Sequence, residues 1–158
     1  MILDENTLPH VALDSYNVAI VTPSAFTGAA NARGDKDGTQ ASFTLFTVTG
    51  EVLVRIFGVC TLTLVGAGTL EVGVAGNTAA LLAQIADATT LATNEIYNDA
   101  TPTELKVGTL ANIPAASVIV NGADIIETVA VADVTAGNVY YICLWRPLSR
   151  NGNVVPAV

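Results

Sequence analysis

Residues 46–64 read FTVTGEVLVRIFGVCTLTL, and the alternation of side chains in this stretch decides the fold class. At period two, one phase holds Phe46, Val48, Val52, Val54, Ile56, Cys60, Leu62 and Leu64, interrupted only by Gly50 and Gly58. The other phase mixes Thr47, Thr49, Glu51 and Arg55 with Leu53 and Phe57. Successive side chains on a strand point to opposite faces, so one apolar phase beside one mixed phase marks a half-buried β-strand. A helix would spread the same apolar residues around its circumference. The run is longer than an ordinary strand of about 5–6 residues. Gly50 and Gly58 are therefore expected to bend it.

Glu51 and Arg55 share the mixed face, yet four strand positions separate them by about 13 Å. They cannot pair along a straight strand. Arg55 stands between Leu53 and Phe57 on its face, and an arginine withdrawn from water needs a partner. That partner is either an acid on a neighbouring strand of the same chain or a group on another chain, since contacts between chains are enriched in Arg.

The rest of the chain repeats the β pattern. Gly66-Ala67-Gly68 is expected to make a tight hairpin turn into TLEVGVA, and Asn121-Gly122 to make a type I′ hairpin between ASVIV and DIIETVAV. Residues 77–86 form the one helix signal, with Asn77 as the cap of an Ala- and Leu-rich run. Short strands are expected at Glu95–Asn98 and Glu104–Val107, and NVYYICLWRPL is the last strand. In that strand Tyr141, Cys143 and Trp145 share one face and Tyr140, Ile142, Leu144 and Arg146 the other. Both faces are apolar, which predicts a strand covered on both sides, by an arm or by another subunit. About eight short strands, regular turns and one short helix define an all-β fold, a jelly-roll-like β-sandwich.

Residues 1–42 differ in composition. They hold one strand candidate, Tyr16–Val21, followed by TGAANARGDKDGTQAS, which has almost no large apolar residue. This reads as an N-terminal arm and linker (1–42) ahead of a β-sandwich domain (43–158). RGDKDG at 33–38 contains an adhesion-like tripeptide and two aspartates at the spacing that opens a calcium loop. The rest of the EF-hand spacing fails, and a solvated turn is the expectation.

Composition narrows the function classes. Of 158 residues, 51% are hydrophobic and only 13% charged, about half the usual ~25% charged. Either part of the surface is covered by other chains, or hydroxyls and amides solvate it. The net charge of −8 repels phosphate backbones, so no nucleic-acid partner is expected. No apolar run is long enough for a transmembrane helix, and MILDENTLPH lacks the cationic start of a secretory leader. Synthesis in the cytoplasm and no membrane partner are the expectations, with Cys60 and Cys143 as buried free thiols. His10 is the only histidine, which removes Ser-His-Asp, Cys-His and His-rich zinc arrangements. No catalytic residue, cofactor or metal is expected, and the chain does not read as an enzyme.

The stretches LFTVTGEVLVRIFGVCTLTLVGAGTLEVGVAGNTAALLAQ (45–84) and VNGADIIETVAVADVTAGNVYYICLWRPLSRNGNV (120–154) resemble small structural proteins of tailed bacteriophage heads. The resemblance covers residues 45–155 and lies in the run of strands. It implies a capsid decoration (cement) protein. Such a protein would be a homotrimer on the outer surface of the virion, bound where subunits of the major capsid protein meet, with an extended arm. No residue-level motif carries over. The candidate contacts with another subunit or the capsid are the charged and aromatic side chains of the arm and of the two long strands. They are Asp14, Tyr16, Arg33 and Lys36, then Glu51, Arg55 and Phe57, then Trp145 and Arg146. The alternative is a carbohydrate- or receptor-binding module of a phage tail or fibre, which would use exposed aromatics beside amides.

Overall fold

A computed structural model describes residues 16–37, 41–104, 115–119 and 121–158. Gly50, at φ +65°, divides the opening stretch into two strands, β2 (Ser42–Thr49) and β3 (Val52–Val65), which enter different sheets. The bend expected there is a full corner, and it takes Glu51 out of the strand into the turn. Phe46 and Val48 face the interior from one sheet, and Val52, Val54 and Ile56 face it from the other. Gly58 stays within β3, and a Cβ there would lie 2.8 Å from Val139 and 2.9 Å from the Tyr141 ring. Leu62 departs from the alternation and is 56% exposed. A register shift opposite, between Asn138 and Val139, puts it out of phase, and a second shift between Ala136 and Asn138 returns Leu64 to the core.

The remaining strands are β1 (Asn17–Val21), β4 (Thr69–Val74), β5 (Asn77–Ile85), β6 (Glu95–Tyr97), β7 (Thr103–Glu104), β8 (Ser117–Ile119), β9 (Ile125–Ala130), β10 (Ala136–Pro147) and β11 (Asn153–Pro156). All ladders are antiparallel. Sheet A has the order β1-β10-β3-β6-β7, with β8 pairing β3, and sheet B the order β11-β2-β9-β4-β5. Take β1 to β6, β9 and β10 as strands one to eight. The orders become 1-8-3-6 and 2-7-4-5, which is jelly-roll topology. The all-β sandwich read from the alternation is therefore the fold.

Three local expectations are corrected. Residues 77–85 are strand β5, with a single 3-10 turn at Ala88–Thr90 after it. Asn77 caps nothing; it pairs Val74 across a two-residue turn. Gly66-Ala67-Gly68 does not close a hairpin, because β3 and β4 lie in different sheets. A Cβ on Gly66 would lie 2.1 Å from the Asp133 carbonyl, so these glycines let two sheet-crossing segments touch backbone to backbone. Asn121 and Gly122 do adopt the positive φ pair of a type I′ turn, at 59° and 68°. The strands they join nevertheless part company, β8 to sheet A and β9 to sheet B.

The core lies between the sheets, with Leu45, Phe46, Leu70, Val72, Leu82 and Ile125 from sheet B against Val54, Ile56, Tyr97, Tyr141 and Cys143 from sheet A. Tyr97 crosses this layer and donates from its hydroxyl to the carbonyls of Leu70 (3.0 Å) and Ala83 (2.9 Å), tying β6 to β4 and β5. Cys60 and Cys143 are both free and buried.

Residues 16–37 are woven into this sandwich. β1 is an edge strand of sheet A, paired with β10. Segment 24–37 closes the side of the sandwich over Glu127, with Phe26 N donating to Gly137 O and Val134 N to Gly34 O. The solvated turn expected for RGDKDG is corrected at its first residue: Arg33 is 2% exposed.

Candidate functional site

Arg33 donates from Nε and Nη2 to the two carboxylate oxygens of Glu127, at 2.8 and 2.6 Å. Its other bonds go to Ser24 O, Asn138 Oδ1 and Val139 O. All five N–H donors are thereby used. The guanidinium also stacks on Phe26, 3.9 Å from the ring centre. Tyr141 adds a third bond to Glu127, donating to Oε2 at 2.6 Å. Burial would lower the Arg33 pKa, but the Glu127 charge and hydrogen bonds more than offset it and leave it raised. Burial first, then the Glu127 charge, push Tyr141 well above the ordinary phenol range. This closed triad joins the 24–37 segment to both sheets, and it leaves no N–H or O–H donor over for a ligand. Arg33, expected at a contact with another chain, is committed to the interior.

The surface that gathers candidate residues is the outer face of sheet A. Strand alternation places Val18, Leu144 and Arg55 in one cross-strand row, and Ile20, Ile142 and Phe57 in the next. Arg146, Leu53 and Val118 form a third. Val18 is 58%, Ile20 53% and Val118 55% exposed, and Leu53, Phe57, Ile142 and Leu144 are half-buried. Tyr16, just ahead of β1, lies under both arginines, its ring centre 4.7 Å from the Arg146 guanidinium and 5.9 Å from that of Arg55. Among the described residues neither arginine has an ion pair. Among the described residues the Nε of Arg55, shielded from solvent, has no acceptor. The internal acid that one reading of Arg55 required is therefore not among the described residues.

Of the sequence candidates, Tyr16, Arg55, Phe57 and Arg146 converge on this face. Asp14 lies outside the described residues. Trp145 points to the opposite side of β10 and packs against the core. Lys36 sits on the 24–37 segment, bonded to Asp37 at 2.7 Å with Asp133 at 3.9 Å, and the Asp37 bond raises its pKa. Beside it, Asp35 accepts from the backbone N–H groups of Asp37 and Asn31, which hold its carboxyl below the usual range. Glu51 is exposed at the β2–β3 corner, where its backbone, through N and O, bonds Ser149. That corner lines an open cleft of about 460 Å³ with Asn121, Ser149 and Asn151. The lining holds amides, hydroxyls and a carboxylate but no aromatic ring on which a sugar could stack. Among the described residues no three His, Cys, Asp or Glu side chains are grouped to hold a metal ion.

Sequence reasoning missed Val18, Ile20 and Val118 as surface residues. Their signal was present in NVAIV and SVI, where both strand phases are apolar and one must face outward. It also missed Glu127 as the partner of Arg33, although Glu127 shares its phase with Ile125 and Val129 and so had to point inward.

Comparison with protein families, with curated proteins and with solved structures found no match.

Proposed function

We propose that the protein is a structural component of a tailed-phage virion, a decoration protein that binds the outside of the assembled head and bridges subunits of the major capsid protein. The observation that supports this reading is the outer face of sheet A. Three cross-strand rows leave Val18, Ile20 and Val118 more than half exposed around a half-buried apolar strip. Contiguous apolar surface of this kind marks an interaction site more often than isolated exposed residues do. A two-sheet sandwich holds such a face rigid, so little ordering entropy is lost when a flat partner covers it. The resemblance of residues 45–155 to small phage head proteins points the same way. A homotrimer is part of the proposal.

The test is direct. Purified protein mixed with phage heads that lack their decoration layer should co-sediment with them and raise the temperature at which they rupture. Cryo-electron microscopy should show it at sites where capsid subunits meet. Heads that sediment free of the protein at saturating concentration overturn the proposal. Light scattering should give three times the 16.2 kDa chain mass; a monomer at high concentration removes the trimer.

A further inference from the structure

We propose that Arg55 and Arg146 form a clamp for a carboxylate, and that the occupant of the outer face of sheet A is a protein surface presenting Asp or Glu side chains within an apolar patch. The identity of that surface as the phage head rests on the function proposed above; the clamp does not.

The geometry of the pair carries the inference. Arg55 lies opposite Leu144, and Arg146 is two residues further along the same strand. Such diagonal neighbours on one face have Cβ atoms about 7–8 Å apart, within reach of two long side chains converging on one anion. Both guanidinium groups lie over the Tyr16 ring, which orients them by cation–π attraction and accepts none of their in-plane N–H donors. The chain carries 14 acidic residues against 6 basic, yet among the described residues none of those acids pairs with either arginine. The Nε of Arg55 is already shielded from water and lacks an acceptor among the described residues. An unsatisfied donor of this kind destabilises the uncovered face, and a bound carboxylate would recover that cost. Flanking Val18, Leu144 and Phe57 exclude water once covered, and desolvation strengthens a charge-assisted bidentate bond.

Charge also selects the occupant. A second copy docked face to face about a two-fold axis would bring the same two cations against each other, and like charges across a contact are costly. A nucleic-acid backbone meets an acidic protein with a net charge of −8. An acidic protein surface satisfies both the arginines and the apolar rows around them.

The experiment compares the full-length protein with Arg55→Glu/Arg146→Glu and Arg55→Lys/Arg146→Lys, all first shown to melt at the wild-type temperature. With undecorated heads, the wild type is expected to bind less tightly as salt rises. Charge reversal should weaken binding by on the order of 100-fold, and the lysine variant should fall between, since it keeps the charge but loses the bidentate fork. A charge-reversed variant that binds heads like the wild type overturns the clamp and leaves the virion reading standing. If the wild type binds no heads, the virion reading fails, and the clamp is then judged with a hexaglutamate peptide as probe. Nitrogen-15 spectra of the arginine Nε–Hε groups should shift for Arg55 and Arg146 and not for Arg33. Unshifted Arg55 and Arg146 signals overturn the clamp. Self-association abolished by Val18→Asp and insensitive to charge reversal would also overturn it, by making a second copy the occupant.

Discussion

Glu127 sits on a strand whose neighbours in phase, Ile125 and Val129, are both buried, and it survives there because three donors converge on it. Glu127→Gln keeps the shape and removes the charge, leaving the Arg33 guanidinium buried and uncompensated. Breaking a buried pair from one side costs about 3–5 kcal/mol. The urea midpoint should fall accordingly while the slope stays constant; an unchanged midpoint would show that the pair contributes little. The inward direction of Glu127 was legible from its phase. Its partner was not, because Arg33 lies 94 residues away in a segment without apolar periodicity. The thiols make a second prediction at this scale. Burial raises Cys60 from 9.0 to about 11 and Cys143 from 9.0 to about 12, and burial also raises Tyr97 and Tyr141 above 10.0. For all four the folded pKa exceeds the unfolded one. Their contribution to stability is complete below about pH 9 and is lost as pH rises through the folded values. The melting temperature should hold up to about pH 8.5 and drop by about pH 10.5. Neither thiol should react with Ellman's reagent at about pH 8 until urea unfolds the chain.

At the level of elements, the errors have a common source. Residues 77–86 read as a helix because Asn77 can cap a run of Ala and Leu, both good helix formers, and the residues that prove buried, Leu81, Leu82 and Ile85, have a spacing that also fits one face of a helix. Register shifts in the β4–β5 ladder produce that spacing on a strand, pairing Leu82 with Val72 and Ile85 with Leu70. Bulges change the phase of a strand, and a sequence pattern cannot distinguish a bulge from a helical turn over so few residues. The glycine turns erred differently. Their local geometry was legible, but whether the next strand stays in its sheet or crosses depends on partners elsewhere. Gly66→Ala tests the crossing. It combines φ +105° with a Cβ 2.1 Å from the Asp133 carbonyl, and it should cost at least ~2 kcal/mol. The positive φ alone would cost an alanine about 1 kcal/mol, so a thermal shift that small would mean the two backbones can separate.

For the molecule as a whole, the sandwich class followed from alternation and turn spacing, while strand order did not, and the described residues form eleven strands where about eight were expected. The boundary drawn between an arm and a domain at residues 42–43 followed from composition; the strand expected at Tyr16–Val21 is β1, but composition hides its pairing with β10 and the burial of Arg33. Deleting residues 1–15 removes nothing from the described sandwich, and the shortened chain should still unfold cooperatively. Deleting residues 1–40 removes an edge strand of sheet A and strips Glu127 of its cation. That chain should lose its cooperative transition in a urea titration followed by circular dichroism. If it unfolds like the shorter deletion, the woven N-terminal segment is dispensable.

The jelly-roll order also constrains the time course of synthesis. β1 waits for β10, and β2 waits for β9 and β11. β3 has only the short β6 and β8 beside it until β10 arrives. Pairings this distant in sequence form slowly, since a long loop must close before any contact is gained. A nascent chain emerging from the ribosome thus carries β3 without its longest neighbour for about ninety residues of translation, the separation of Arg55 from Leu144 being representative. Survival through that interval falls to the features that discourage premature association: an acidic surplus, glycine-rich corners, and the two cations set into the middle of the face that would otherwise stick.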